Sequence, residues 1–323
     1  MVSLLDPLKV NDLVLDNRIV LPPMQTQKAT EDGKVTDELK EHYAKRSEGQ
    51  GLIIIEHSYI SPGGRLAKKQ LGIHRDDLIP GLKELASTVH EKGTPAVVQI
   101  NHAGKTANRE NVDSIPVGPS PDENVRKLKT REVKELVTRF VKAGERAVKA
   151  GFDGVEIHGA HGFLLNQFYS PLTNKRIDEY GGIFEKRIKF PLEVVEEVRN
   201  KIGEKTLLYR LGSDDLDPEG TQIKHSKKFA KRLAEAGVDI IDVSGGICGS
   251  RPEKLEGEQG YFIPQASEIR KSVDIPVIGV GGIKSPEFAN KVVENGSVDL
   301  VAVGRAQLAD PEWAVKALRK LKN

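Results

Sequence analysis

The chain has 323 residues, with 49 lysines and arginines against 47 aspartates and glutamates, a formal net charge of +2. Such near-cancellation gives no bulk-charge attraction to nucleic acid or to a membrane surface. A lone cysteine, Cys248, excludes an intramolecular disulfide, a cysteine-held iron–sulfur cluster and a four-cysteine zinc site. The longest apolar runs, such as Leu52-Ile53-Ile54-Ile55, are strand-length and fall well short of the roughly 20 residues that span a membrane. Residues 1–7 carry neither the basic region nor the apolar stretch of a signal peptide, so the expected location is the cytoplasm.

From the N-terminus, Leu8-Lys9-Val10-Asn11-Asp12-Leu13-Val14-Leu15 reads as a β-hairpin with its turn at Asn11-Asp12. Eight short β-branched runs follow, at Arg18–Pro22, Leu52–His57, Ala96–Ile100, Gly154–His158, Leu207–Leu211, Ile240–Ser244, Pro276–Val280 and Leu300–Val303. The intervening stretches have helical periodicity. Residues 130–150 place Val133, Leu136, Val137, Phe140, Val141, Gly144 and Ala147 three and four apart, and Phe184–Lys201 and Thr221–Ala236 behave similarly. Runs apolar on both faces, alternating with helices, are the mark of parallel strands covered by their crossovers. Eight such units predict a TIM (β/α)8 barrel, with the N-terminal hairpin closing the barrel bottom and residues 1–323 forming a single domain. A doubly wound open sheet is the competing topology.

In a (β/α)8 barrel the chemistry lies at the C-terminal ends of the strands. After the seventh run comes Gly279-Val280-Gly281-Gly282-Ile283, and after the eighth Val303-Gly304-Arg305. Glycines let backbone N–H groups approach an anion, and an arginine fork matches phosphate oxygens, so Gly281, Gly282, Gly304 and Arg305 are candidates for a phosphate site. The bland alternative is that these glycines only permit tight turns. The fourth run ends in His158-Gly159-Ala160-His161. Two imidazoles at that spacing suit a metal, with Glu156 or His102 as a third ligand, or equally a pair of donors gripping an oxygen.

The segment Gly151-Phe152-Asp153-Gly154-Val155-Glu156-Ile157-His158-Gly159-Ala160-His161-Gly162 leads through Gln167-Phe168 and Ser170-Pro171 into Asn174-Lys175-Arg176-Ile177-Asp178-Glu179-Tyr180-Gly181-Gly182 and Arg187. Together with Asn17-Arg18-Ile19-Val20, Gln99-Ile100-Asn101-His102-Ala103-Gly104 and Val303-Gly304-Arg305, it resembles the old yellow enzyme family of FMN-dependent oxidoreductases, particularly its thermophilic-like branch, from about Leu5 to Trp313. The resemblance implies FMN as cofactor and NADH or NADPH as reductant. It implies that Pro23, Met24 and Gln25 meet the flavin ring, that His57 lies beside its pyrimidine edge, and that Gln99 pairs with the pyrimidine carbonyl and N3–H. Arg210 would sit near N1 and O2, Ser244 near the ribityl–phosphate end, and Gly281, Gly282, Gly304 and Arg305 on the phosphate. His158 and His161 would bind the oxygen of a small-molecule acceptor, such as an α,β-unsaturated carbonyl compound, that receives hydride from flavin N5.

Three pocket positions depart from the family pattern. Phe163 replaces the tyrosine that usually donates a proton, Gln25 a redox-tuning cysteine, and Gln27 a substrate-contacting tyrosine. Tyr59, Tyr169, Tyr261 or water are candidates for the missing acid. The substitutions also leave open an amine or other small-donor dehydrogenase, an NAD(P)H oxidase or, further off, a metal-dependent hydrolase or lyase. The sequence ends at Lys320-Leu321-Lys322-Asn323 without the branch's arginine-bearing tail, so a homo-oligomer is possible but that branch's dimer is not carried over.

Overall fold

In the computed structural model, which describes residues 2–107, 109–112, 114–255 and 257–322, the expected runs become the staves of a closed barrel. The chain opens with β1 (Leu8–Val10) and β2 (Leu13–Leu15), then β3 (Ile19–Leu21), α1 (Asp37–Ser47), β4 (Leu52–Tyr59), α2 (Ile79–His90) and β5 (Ala96–Asn101). After β5 come β6 (Val117–Gly118), β7 (Arg126–Lys127), α3 (Thr130–Lys149), β8 (Gly154–Gly159), α4 (Leu164–Tyr169), α5 (Phe184–Arg187), α6 (Lys189–Ile202) and β9 (Thr206–Gly212). The last part comprises α7 (Ile223–Glu235), β10 (Ile240–Ser244), α8 (Ile263–Arg270), β11 (Val277–Gly279), α9 (Pro286–Glu294), β12 (Leu300–Ala302), α10 (Arg305–Ala309) and α11 (Trp313–Lys322). The barrel order is β3-β4-β5-β8-β9-β10-β11-β12, with β12 returning to β3 through Val301 opposite Ile19, and every pairing is parallel. The open sheet is thereby excluded.

Side chains alternate across each strand. Ile53, Ile55, Val98, Val155, Ile157, Leu207, Ile241 and Val277 belong to the layer packed under the helices. Val20, Leu52, Ile54, Val97, Leu208, Ile240, Ile278 and Leu300 form a second cluster inside the barrel. Val10, Leu13 and Leu15 of the hairpin join this inner cluster, so the hairpin plugs the N-terminal end as expected. Its tight turn is made by Asn11 at φ 53°, a left-handed conformation that asparagine tolerates better than most residues.

The helices seal the outside. Helix α3 buries the stripe Val133, Leu136, Phe140, Ala143, Gly144 and Ala147. A Cβ at Gly144 would lie 3.2 Å from Ile202 Cγ2, so the glycine sets how closely α3 approaches α6. The single helix expected over residues 184–201 is divided at Ile188 into α5 and α6. No helix among the described residues is long and apolar enough to cross a membrane. Leu15 is fully buried in the plug. Leu15→Ala is expected to destabilise the protein by about 2–5 kcal/mol, measured by urea unfolding, without altering the far-UV spectrum at zero denaturant.

Candidate functional site

Moving up the barrel axis, the inward positions change from apolar to polar. Strand β5 passes from Val97 to Gln99, β9 from Leu208 to Arg210, and β10 from Ile240 to Asp242, joined by Glu156 of β8. Register places Gln99 beside Glu156 and Arg210 beside Asp242. Gln99 Nε2 donates to Glu156 Oε2 at 2.6 Å. Arg210 Nε lies 3.2 Å from Asp242 Oδ2, with both side chains nearly or fully buried. Burial raises the carboxyl groups of Glu156 and Asp242 above their ordinary range, and the Arg210 charge pulls both back down. Gln99 Oε1 is buried without a donor in the protein, and Gln25 Nε2 is buried without an acceptor. A buried donor and a buried acceptor are thus left unspent at the rim.

One side of the rim opens into a cleft lined by Pro22, Met24, Arg210, Ser244, Tyr261, Gly281, Gly282, Gly304 and Arg305. Gly281 and Gly282 have φ of 120° and 65°. A Cβ on Gly282 would come within 3.1 Å of an Arg305 guanidinium nitrogen, and one on Gly304 within 2.9 Å of Met24 Sδ. Side chains there would fill the cradle, so the glycines keep it open. Arg305 is exposed and donates from its guanidinium to Tyr261 Oη at 3.3 Å. The residues expected to bind phosphate are therefore together, and Pro23 is buried on the loop that closes the cleft beside Met24.

The other side is walled by aromatic rings. His158 and His161 have ring centroids 5.1 Å apart, Phe163 lies 4.8 Å from His158, and His57 lies 5.6 Å from Phe163 and 6.3 Å from His158. His57 thus turns its ring toward this pocket. Burial and the nearby Arg210 charge hold His57, His158 and His161 below the ordinary histidine range, so all three are neutral at pH 7. His161 Nε2 and Ser244 Oγ share a hydrogen bond of 2.7 Å. Ser244 was expected only at the phosphate end; it also ties the cleft to the imidazole pair. His161 holds φ 57°, a left-handed strain at the turn that presents its ring.

The tyrosines considered as replacement acids lie elsewhere. Tyr59 stacks on His74 at 4.7 Å, Tyr169 is buried with its hydroxyl 3.0 Å from Ser226, and the Tyr261 hydroxyl donates to the Ser250 carbonyl at 2.9 Å in the cleft. Among the described residues no group of three His, Cys, Asp or Glu side chains is placed to hold a metal, which leaves the hydrolase alternative without its third ligand.

Two contacts escaped sequence reasoning. Thr26, between Gln25 and Gln27, donates to Glu56 through its hydroxyl at 2.6 Å and its backbone N–H at 3.1 Å. This clamp holds the loop on which exposed Gln27 adopts φ 56°. Gln70, from the loop after β4, bonds His57. No spacing pattern signals either pair.

The fold and the site define a parallel (β/α)8 barrel whose mouth joins a glycine–arginine cleft to a pair of neutral imidazoles. The chain belongs to the NADH:flavin oxidoreductase / NADH oxidase family, whose model matches residues 3–323 and whose cofactor is FMN. It is 43% identical to an NADH oxidase of Thermoanaerobacter brockii over 96% of this chain and 50% of that protein, so it spans about half of that relative. It is 39% identical to an NADPH dehydrogenase of Geobacillus sp. (strain WCH70), over 98% of this chain and 94% of the other. The structure of an old yellow enzyme homologue from Zymomonas mobilis superimposes with a TM-score of 0.87 at 29% identity, covering 99% of this chain and 93% of that one.

Glu56 supplies a pH test of the loop clamp. Burial raises its carboxyl from the ordinary 4.5 to about 7, against the opposing pull of the two Thr26 donors. Because the folded value is the higher one, the associated stability is fully present below about pH 4.5 and is lost as the pH rises through 7. Thermal midpoints of wild type and Glu56→Gln should therefore diverge between pH 5 and pH 8, with wild type losing ground as the pH increases.

Proposed function

We propose that this chain binds FMN across the barrel mouth and catalyses hydride transfer from NADH or NADPH to a small acceptor whose oxygen is held by His158 and His161. The observation that carries this reading is the pair of neutral imidazoles 5.1 Å apart at the same mouth as the glycine–arginine cradle. FMN fits the residues present. The unspent Gln99 acceptor and Gln25 donor match the N–H and carbonyl of a flavin pyrimidine edge, and the cradle that a Cβ on Gly282 or Gly304 would fill suits a phosphate tail. When bound, FMN supplies the two-electron chemistry, accepting hydride from the nicotinamide and delivering it to the acceptor.

The protein does the rest. Arg305 and the backbone of Gly281, Gly282 and Gly304 fix the phosphate. Pro23 and Met24 would lie against the ring, and Arg210 would place positive charge at its pyrimidine end. Asp242 holds Arg210 from the neighbouring strand, with Glu156 one inward position lower. His158 and His161 donate to the acceptor oxygen and draw electron density from the carbon that receives hydride. Gln27 stands exposed on the loop after β3.

Phe163 favours a second acceptor class. Its ring lies 4.8 Å from His158 and offers no proton. Acceptors that need no protein acid suit the pocket better than alkenes do. Dioxygen is one: hydride, dioxygen and a solvent proton give hydrogen peroxide. The NADH oxidase named among the relatives supports this reading.

Purified protein is expected to be yellow, or to become so with FMN, absorbing near ~450 nm and bleaching with NADH or NADPH. A preparation that takes up no FMN would overturn the proposal. Arg305→Ala should weaken FMN binding by about 1.5–3 kcal/mol, the value of a charge-assisted hydrogen bond, measured by fluorescence titration. Phe163→Tyr should raise the rate of 2-cyclohexen-1-one reduction by a factor of about ten or more while leaving the NADPH half-reaction unchanged, since general acid catalysis is worth roughly 10²–10⁴ when fully in place. Stopped-flow measurement separates the two half-reactions.

A further inference from the structure

We propose that His57 is a third hydrogen-bond donor of the acceptor pocket, held in its Nε2–H form by Gln70, and that it selects acceptors carrying a second oxygen on the activating group. The inference rests on the function proposed above and deepens it. Gln70 is fully buried, and its amide orientation is fixed because Oε1 accepts the Leu66 backbone N–H at 2.7 Å. Nε2 must then face His57, where its two hydrogens meet two acceptors: the ring Nδ1 at 2.8 Å and the His57 carbonyl at 2.9 Å. An imidazole whose Nδ1 accepts and which is neutral carries its hydrogen on Nε2. Burial keeps the His57 value down at about 4, so the ring stays neutral at pH 7. Among the described residues nothing accepts from this Nε2.

His158 is arranged in the same sense. Its Nδ1 accepts the Ala160 backbone N–H at 3.4 Å, leaving Nε2–H as the free donor. The His57 and His158 rings stand 6.3 Å apart and both touch Phe163, at 5.6 and 4.8 Å. His158 and His161 are closer, at 5.1 Å. The tighter pair suits one oxygen, and the wider spacing to His57 suits a second oxygen on the same planar group. The role is binding and orientation. A neutral imidazole N–H is too weak an acid to replace the proton donor that Phe163 lacks.

Nitrobenzene and acetophenone test this directly. They are neutral and nearly equal in shape, and differ in whether a second oxygen or a methyl group occupies one position. Each is titrated at equilibrium into the FMN-loaded protein, without reductant, following the flavin absorption. Wild type should bind nitrobenzene more tightly. His57→Leu should weaken nitrobenzene roughly fivefold and acetophenone less than twofold, as for loss of one neutral hydrogen bond. His57→Gln, which keeps a donor, should recover part of the difference. Gln70→Leu should weaken nitrobenzene selectively with His57 still present, because the ring is then free to move its hydrogen to Nδ1. Equal wild-type affinities, or equal losses for both probes in His57→Leu and Gln70→Leu, would overturn the role of His57 while leaving flavin binding intact. A protein that takes up no FMN would instead contradict the underlying function and, with it, this pocket.

Discussion

The rest of the molecule is organised around a buried charge, the Arg210 guanidinium, held inside the barrel between Asp242 and the Glu156–Gln99 pair. Burying ionisable groups is costly unless they satisfy one another. Here register sets Arg210 of β9 beside Asp242 of β10, while Glu156 of β8 stands opposite Leu208, one inward position lower, above an apolar plug. The layer is incompletely satisfied within the protein. Gln99 Oε1, Glu156 Oε1 and both oxygens of Asp242 lack hydrogen-bond partners. A polar layer left with spare capacity under an open mouth is a surface prepared for a polar guest.

The two halves of the mouth are physically continuous. Ser244 lines the glycine–arginine cleft and shares a hydrogen with His161, while burial and, after it, the charge of Arg210 at the cleft's border hold down the basicity of His57, His158 and His161. A single cation thus influences both the group that would lie in the cleft and the donors that would grip the acceptor. The Glu56–Thr26 clamp fixes the loop carrying Gln25 and Gln27, two of the three pocket positions that depart from the family pattern.

Much of the fold was legible in the sequence because its signals are local. Each strand is a short β-branched run, the α3 stripe recurs at three and four residues, and Asn11-Asp12 marks its hairpin turn. His158 was legible as a candidate site residue because the fold fixes which end of a strand bears chemistry, whereas Gln99 and Arg210 stood out only through the resemblance to the old yellow enzyme family. The division at Ile188 was not legible, since both sides of the break keep the same periodicity. Nor were the Gln70–His57 and Thr26–Glu56 contacts, which join positions 13 and 30 residues apart through loops. The tyrosines at 59, 169 and 261 were plausible by composition alone, but hydrogen bonding and stacking commit each one elsewhere.

Phe163 has a stereochemical consequence. A protein hydroxyl poised over one face of a double bond would determine the face that receives the proton, while the way the acceptor lies on the flavin determines the face that receives hydride. With a phenyl ring in that place, the proposed site governs only the hydride face. The second hydrogen of any alkene it reduced would come from solvent, so in deuterated water the label would be distributed between both faces of its carbon.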